Sequence, residues 1–310
     1  MNAIKTISDF ACAVKYALSE TFPDCSVESH TATKNNNVKL TGISIRPHGS
    51  DISPTVYIDR YFVLFQSGKS FESVLEEIKK DCKEGMESTL MYIQPDSISD
   101  FATAKDRICY KLISKELNKE LLSEIPHRDF NGLAVTFYLQ LGTTDNGTAT
   151  TVITNNLMRI WGKTEEQLFE LAETNTQRLH RGRIVPMSIA ISKMAGENPT
   201  HAYENFDFTK SAEDDFIPMY VATNETCITG ASIILYPGLL EAVSEELGSF
   251  IVIPSSVHEL ILVPCTCCDN VSDISGMVRE INATEVLETE ILSDKCLFYD
   301  AETHTLKETE

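Results

Sequence analysis

The sequence has a single tryptophan in 310 residues. No apolar run approaches the roughly 20 residues that a membrane-spanning helix needs, so no membrane partner is expected. It also lacks a basic stripe. Lys and Arg number 26 against 46 Asp and Glu, a formal charge of −20, and the acids are spread along the whole chain. Such a chain repels phosphate backbones, which argues against nucleic acid as a partner. An unbroken apolar start is missing too. Lys5, Asp9, Lys15 and Glu20 interrupt the first residues, so the segment reads as an amphipathic helix and not a signal peptide. The expected location is cytoplasmic. There is no Gly-x-Ser-x-Gly elbow, no His-Glu-x-x-His and no glycine-rich phosphate loop. No cofactor is expected.

What is present is ordinary globular material. Apolar residues make up 42% and charged residues 23%, enough to bury a real core. Most of the nine cysteines stand alone along the chain, which fits reduced, buried thiols better than a disulfide framework. The periodicity predicts an α+β fold. An N-terminal region of helices and a hairpin, 1–126, leads into a strand-rich region, 127–310, with a mixed sheet covered by helices. The two form either separate domains or one continuous one, and 193–215 reads as a loop or linker.

In the first region, apolar spacing predicts a helix over 3–21. A hairpin follows over CSVESHTAT and VKLTGISIRP, with a bulge at Gly42. Two helices then break at Ser67-Gly68, and a long helix runs from Asp100 to Pro126. In the second, LAVTFYLQL, TATTVITN, PMYVATN, ASIIL, FIVIP and ELILVP read as strands. Residues 130–265 are expected to form one sheet, with FIVIP and ELILVP adjacent and central. Thr164 and Gln167 have capping-box spacing at a helix start, and VSDISGMVREINAT reads as a further helix. CLFYD and HTLKE read as a last hairpin.

Several stretches carry a resemblance. They include Ile52-Ser53-Pro54-Thr55-Val56-Tyr57, KDRICYKLIS at 105–114, NKELLSEIPH at 118–127, GASIILYPGLL at 230–240, LGSFIVIPSSVHELILVP at 247–264 and MVREINATEV at 277–286. Through them the chain resembles, nearly end to end, a family mostly from gut clostridia known as domain of unknown function 5688. That resemblance implies a bacterial source but no enzyme class, cofactor or catalytic residue.

Three groups of side chains are candidates for function. In PSSVHE, Ser255 or Ser256 would be a nucleophile, His258 its base, and Glu259 or a distant acid the orienter of a hydrolase-like enzyme. The competing reading is a turn. Ser256 and His258 stand two apart, so on a strand their Cβ atoms would lie roughly 7 Å apart, too far for a relay. The turn reading is preferred, with the serine hydroxyls bonding backbone groups. Cys265, Cys267 and Cys268 form one thiol cluster, which His258, Asp269 or Cys296 would complete, but zinc usually takes two separated pairs. No metal is expected. The binding candidates are Trp161 with Arg159, and a basic cluster of Arg178, His180, Arg181 and Arg183. With no catalytic group favoured, the sequence reads as a non-enzymatic cytosolic binding or adaptor protein with a protein partner. The alternatives are the hydrolase, and an accessory protein of a mobile element that binds a host protein through its acidic surface.

Overall fold

Helix α1 (Ile7–Thr21) starts where Thr6 and Asp9 form a reciprocal capping box, their backbone amides each bonded to the other's side chain at 3.0 and 3.1 Å. The computed structural model describes residues 4–49, 53–92, 96–144, 147–194, 218–267 and 271–309. The chain divides into two compact units, residues 1–104 with 140–151, and residues 105–139 with 152–310.

In the first unit, strands β1 (Cys25–Thr33), β2 (Lys39–Pro47) and β3 (Thr55–Tyr57) form an antiparallel sheet. Helices α2 (Asp59–Gln66) and α3 (Phe71–Tyr92) follow, then the short α4 (Asp96–Ser99) and α5 (Phe101–Ala104). The core joins Phe10, Val14 and Leu18 of α1 to Ile43 and Ile45 of β2 and to Val74 and Ile78 of α3. Phe10 packs against the rings of Phe62, Phe65 and Phe71 at 5.5, 5.6 and 5.8 Å. The bulge expected at Gly42 is absent: the register runs unbroken from Cys25↔Pro47 to Thr33↔Lys39. Leu40 therefore faces away from Ile43 and Ile45 and stays half-buried, a cost small enough that no extra residue is needed to turn it inward.

In the second unit, the expected helix from Asp100 to Pro126 is not formed. Strand β4 (Ile108–Ser114) occupies its middle, with α6 (Lys119–Glu124) after it. Six of the seven β4 residues are buried, so apolar side chains fill both faces of the strand and mimic helical spacing by coincidence. Strands β5 (His127–Phe130) and β6 (Leu133–Thr144) form a hairpin, and β6 pairs with both β4 and β5. Asn131 and Gly132 make its two-residue turn at φ +45° and +78°, the left-handed pair that suits strand twist. Strand β7 (Gly147–Val152) pairs with β6, and residues 140–144 of β6 and 147–151 of β7 fall in the first unit, while 145–146 of the expected turn lie outside the described residues.

Helices α7 (Asn155–Ile160) and α8 (Glu165–Leu179) follow, the second with the expected Thr164–Gln167 capping box. Polar side chains tie α8 to β4. The Asn175 amide donates to the carbonyls of Lys105 and Ile108 at 2.8 and 3.0 Å. Thr176 Oγ1 accepts from the Tyr110 amide at 3.1 Å. The bonds to Ile108 and Tyr110 satisfy backbone groups on a strand at the edge of its sheet.

The rest of the unit is a six-stranded sheet. Its elements are β8 (Gly182–Pro186), α9 (Met187–Met194), β9 (Tyr220–Asn224), α10 (Leu239–Leu247), β10 (Phe250–Ser256), β11 (Glu259–Pro264), α11 (Val271–Thr284), β12 (Leu297–Asp300) and β13 (Thr305–Glu308). Strand order is β13-β12-β10-β11-β9-β8. FIVIP and ELILVP are thus adjacent central strands, with Ile251, Leu260 and Leu262 buried and Ile253 half-buried. Burying each such side chain contributes about 1.5–3 kcal/mol.

The fold is α+β, with two further corrections. Residues 130–265 belong to two sheets, not one, and every strand pair of described register is antiparallel rather than mixed. ASIIL is not a strand but a buried 3-10 helix, Gly230–Leu235. Its apolar run is as short as a strand's, and burial alone does not distinguish the two. Of the expected 193–215 loop, residues 193–194 end α9 and the remainder lies outside the described residues. Among the described residues no helix is long and apolar enough to cross a membrane.

Candidate functional site

The hairpin between β10 and β11 is built around a proline. Pro254 has no N–H, and the register shifts between Ile253 and Ser256, where a ladder tolerates one. The strand then continues through Ser256, which pairs with Glu259, and the turn itself is Val257-His258. Ser255 and Ser256 therefore end a strand instead of forming the turn, because the shift lets the strand pass the proline. The Ser256 hydroxyl accepts from the His258 backbone N–H at 3.0 Å. It engages the main chain of His258 and not the ring.

The ring is committed elsewhere. His258 Nδ1 accepts from the backbone N–H of Thr229 at 3.2 Å. A nitrogen that accepts carries no proton, so the ring proton sits on Nε2. Nε2 lies 3.5 Å from Glu290 Oε1. The acid beside the ring is thus Glu290, 32 positions away in sequence, while Glu259 takes its place in the β11 ladder. The His258 carbonyl accepts from Thr223 Oγ1 at 2.8 Å.

These contacts converge on the loop from Asn224 to Gly230. The buried Asn224 carboxamide accepts from the Thr226 amide at 3.1 Å, the Thr226 hydroxyl at 2.9 Å and the Ile228 amide at 3.3 Å, and donates to the Ile228 carbonyl at 2.8 Å. Cys227 and Thr229 are held at φ +54° and +51°. For a β-branched residue such as Thr229 that region is strained, at a cost of order 1–3 kcal/mol. Gly230 closes the loop. A Cβ there would lie 2.2 Å from Thr223 Oγ1 and 2.4 Å from the His258 carbonyl oxygen. The result is a loop closed by side-chain hydrogen bonds that exposes Ile228 and Cys227.

The basic cluster splits on folding. Arg178 donates to the Asp106 carbonyl at 2.6 Å. His180 is buried, with Nε2 3.1 Å from the Tyr138 hydroxyl and Nδ1 without a partner. Burial holds the imidazole below its usual pKa, and it pushes the Tyr138 hydroxyl well above the ordinary phenol range. Arg181 and Arg183, by contrast, border the loop. The Arg181 carbonyl accepts the Glu225 amide at 2.9 Å, and Arg183 Nη2 lies 3.3 Å from Cys227 Sγ. Arg181 is exposed.

Trp161 caps α7 and is only 7% exposed, so its ring belongs to the interior while Arg159 stands exposed near it in sequence. Cys265 packs with Ile251, Val278 and Cys296 in an apolar cluster, and Cys267 is half-buried. Cys268 and Asp269 lie outside the described residues. The eight described cysteines are free thiols. Burial raises the Cys82 thiol to about 12 and the Cys109 thiol to about 11. Among the described residues no group of three His, Cys, Asp or Glu is placed to hold a metal ion.

A family model built on proteins of unknown function, DUF5688, matches residues 7–301. The chain belongs to that family. No curated protein and no solved structure matches it. Sequence reading missed Thr223, Asn224, Thr229 and Glu290 as members of the hairpin's network. The run Thr223-Asn224-Glu225-Thr226 at the end of a strand was a legible signal, because Asn side chains in such runs build turns of their own. Nothing local marks Glu290.

Proposed function

We propose that this protein is a non-catalytic binding protein that engages a protein partner through the loop 225–229. One observation carries the reading. A strained Thr229 is fixed by the His258 ring while Ile228, at the same loop, is 42% exposed. Strain is retained where surrounding structure over-determines it, and such positions cluster at binding sites. A loop already ordered loses little entropy on association. Arg181 and Arg183 border it, so the fitting partner is a protein surface with an apolar pocket for Ile228 and carboxylates at the rim. The PSSVH hairpin serves as the buttress that shapes the loop. The compartment that goes with this reading is the cytoplasm, supported by the free thiols of the described cysteines.

Site-specific photocrosslinking tests it. A benzoylphenylalanine at position 228 should give one discrete protein adduct in cells. A second probe at Val63, 62% exposed in the other unit, should not give it. The adduct should fade in His258→Ala. Equal adducts from both positions, or none from 228, would remove the loop as the binding surface.

A further inference from the structure

A second group of charged side chains stands in the second unit, apart from the loop. Over the whole chain acidic residues outnumber Lys and Arg by 46 to 26. In a cleft of about 530 Å³ the balance reverses, with Lys115, Lys119, Lys295 and His127 facing Glu116 and Glu308. These groups come from three separate parts of the chain: the end of β4 with α6, the β5–β6 hairpin, and the C-terminal hairpin.

The cations are not equally engaged. Lys115 pairs with Asp129 at 2.6 Å. Lys295 pairs with Glu308. No carboxylate among the described residues pairs with Lys119. His127 Nδ1 lies 3.2 Å from the Ile125 carbonyl. A carbonyl only accepts, so Nδ1 carries the proton and Nε2 remains an acceptor.

Glu308 is the informative member. Its carboxylate sits against the β5–β6 turn, where a Cβ on Gly132 would lie 2.1 Å from Oε2. It is brought there by the last residue of β13 and held by Lys295. An internal carboxylate thus lies in a lysine-lined cleft, on one of the two cations that an incoming anion would also use.

We propose that this cleft binds a small, multiply charged oxyanion, and that Glu308 occupies part of the site until the ligand displaces it. Lys119 and Lys295 supply the charge-assisted hydrogen bonds. His127 Nε2 accepts from a hydroxyl of the ligand, either a protonated oxyanion oxygen or a separate alcohol. Phosphate and carboxylate share this chemistry.

Calorimetric titration of the full chain at low ionic strength with inorganic pyrophosphate and with citrate tests the proposal. One saturable site is expected for at least one probe. Tighter pyrophosphate binding would assign a phosphate ligand, and tighter citrate binding a polycarboxylate. Loss of a charge-assisted bond in Lys119→Ala should weaken binding about tenfold. Glu308→Gln should tighten it several-fold, because the internal competitor loses its charge. Thermal melting of each variant checks that the fold is kept. No saturable binding of either probe, or affinity unchanged in Lys119→Ala, would overturn the site. Unchanged affinity in Glu308→Gln would overturn the role given to Glu308.

Discussion

The ring of His258 and the backbone amide of Thr229 are joined by a 3.2 Å hydrogen bond that spans two loops of one unit. It ties the tip of the β10–β11 hairpin to a left-handed residue. Replacing His258 with Ala removes this bond and the contact with Glu290. The expected cost is about 1–2 kcal/mol in urea unfolding. Amide exchange should accelerate across 225–229. Unchanged protection of those amides would mean that the ring does not hold the loop.

Gly230 is the most demanding position in the network. Gly230→Ala sets a methyl group against Thr223 Oγ1 and the His258 carbonyl. Backbone cannot yield as a long side chain does, so the loss should be at least ~2 kcal/mol, visible as a clear drop in melting temperature. A melting curve superimposable on the parent's would contradict the tight closure.

The serines are expected to be structural. Ser256→Ala removes an acceptor for the His258 amide and should cost about 1 kcal/mol. Ser255→Ala with Ser256→Ala should leave the photocrosslink from position 228 intact. A fluorophosphonate probe should label neither serine. Stoichiometric labelling that vanishes in His258→Ala would instead establish the hydrolase alternative.

His180 predicts a pH dependence. Burial depresses its folded-state pKa, so the native state disfavours the imidazolium relative to the unfolded chain. Its stabilising contribution is complete above the unfolded value of about 6.5. It is lost as pH falls from there through the depressed folded value. His180→Gln should flatten this limb of a stability profile measured between neutral and mildly acidic pH. An identical slope in the variant would show that His180 does not set it.

The parts legible in the sequence share one property, that local residues decide them. FIVIP and ELILVP are apolar at nearly every position and each ends in a proline, which suits a short buried strand. Thr164 and Gln167 satisfy each other's backbone amides within one turn of helix. What misled was burial without periodicity. Ile108, Leu112 and Ile113 match a helical stripe, but Cys109 and Tyr110 between them are equally buried. Gly230–Leu235 shows the same ambiguity. The Asn131-Gly132 pair was a turn signal in plain view, and it would have exposed the hairpin inside the assumed helix-to-strand boundary. The network around His258 was beyond local reading. Thr229 and Glu290 reach it from distant positions: the register of β9, β10 and β11 brings Thr229 to the ring, and a backbone bond from Val257 to the Glu290 carbonyl brings Glu290.

The six-stranded sheet ends in β8 on one side and β13 on the other. An edge strand is a row of open hydrogen-bond partners, and a second chain can add itself there. Both borders are poor templates. β8 has five residues and finishes in Pro186, which offers no N–H and gives way at once to a helix. β13 has four residues, with Lys307 and Glu308 exposed or charged at its end. The apolar strands β10 and β11, the segments of this chain most able to stack into fibrils, lie sealed in the middle. The arrangement of borders thus keeps the most adhesive sequences of an acidic protein away from the edges that a second chain could reach.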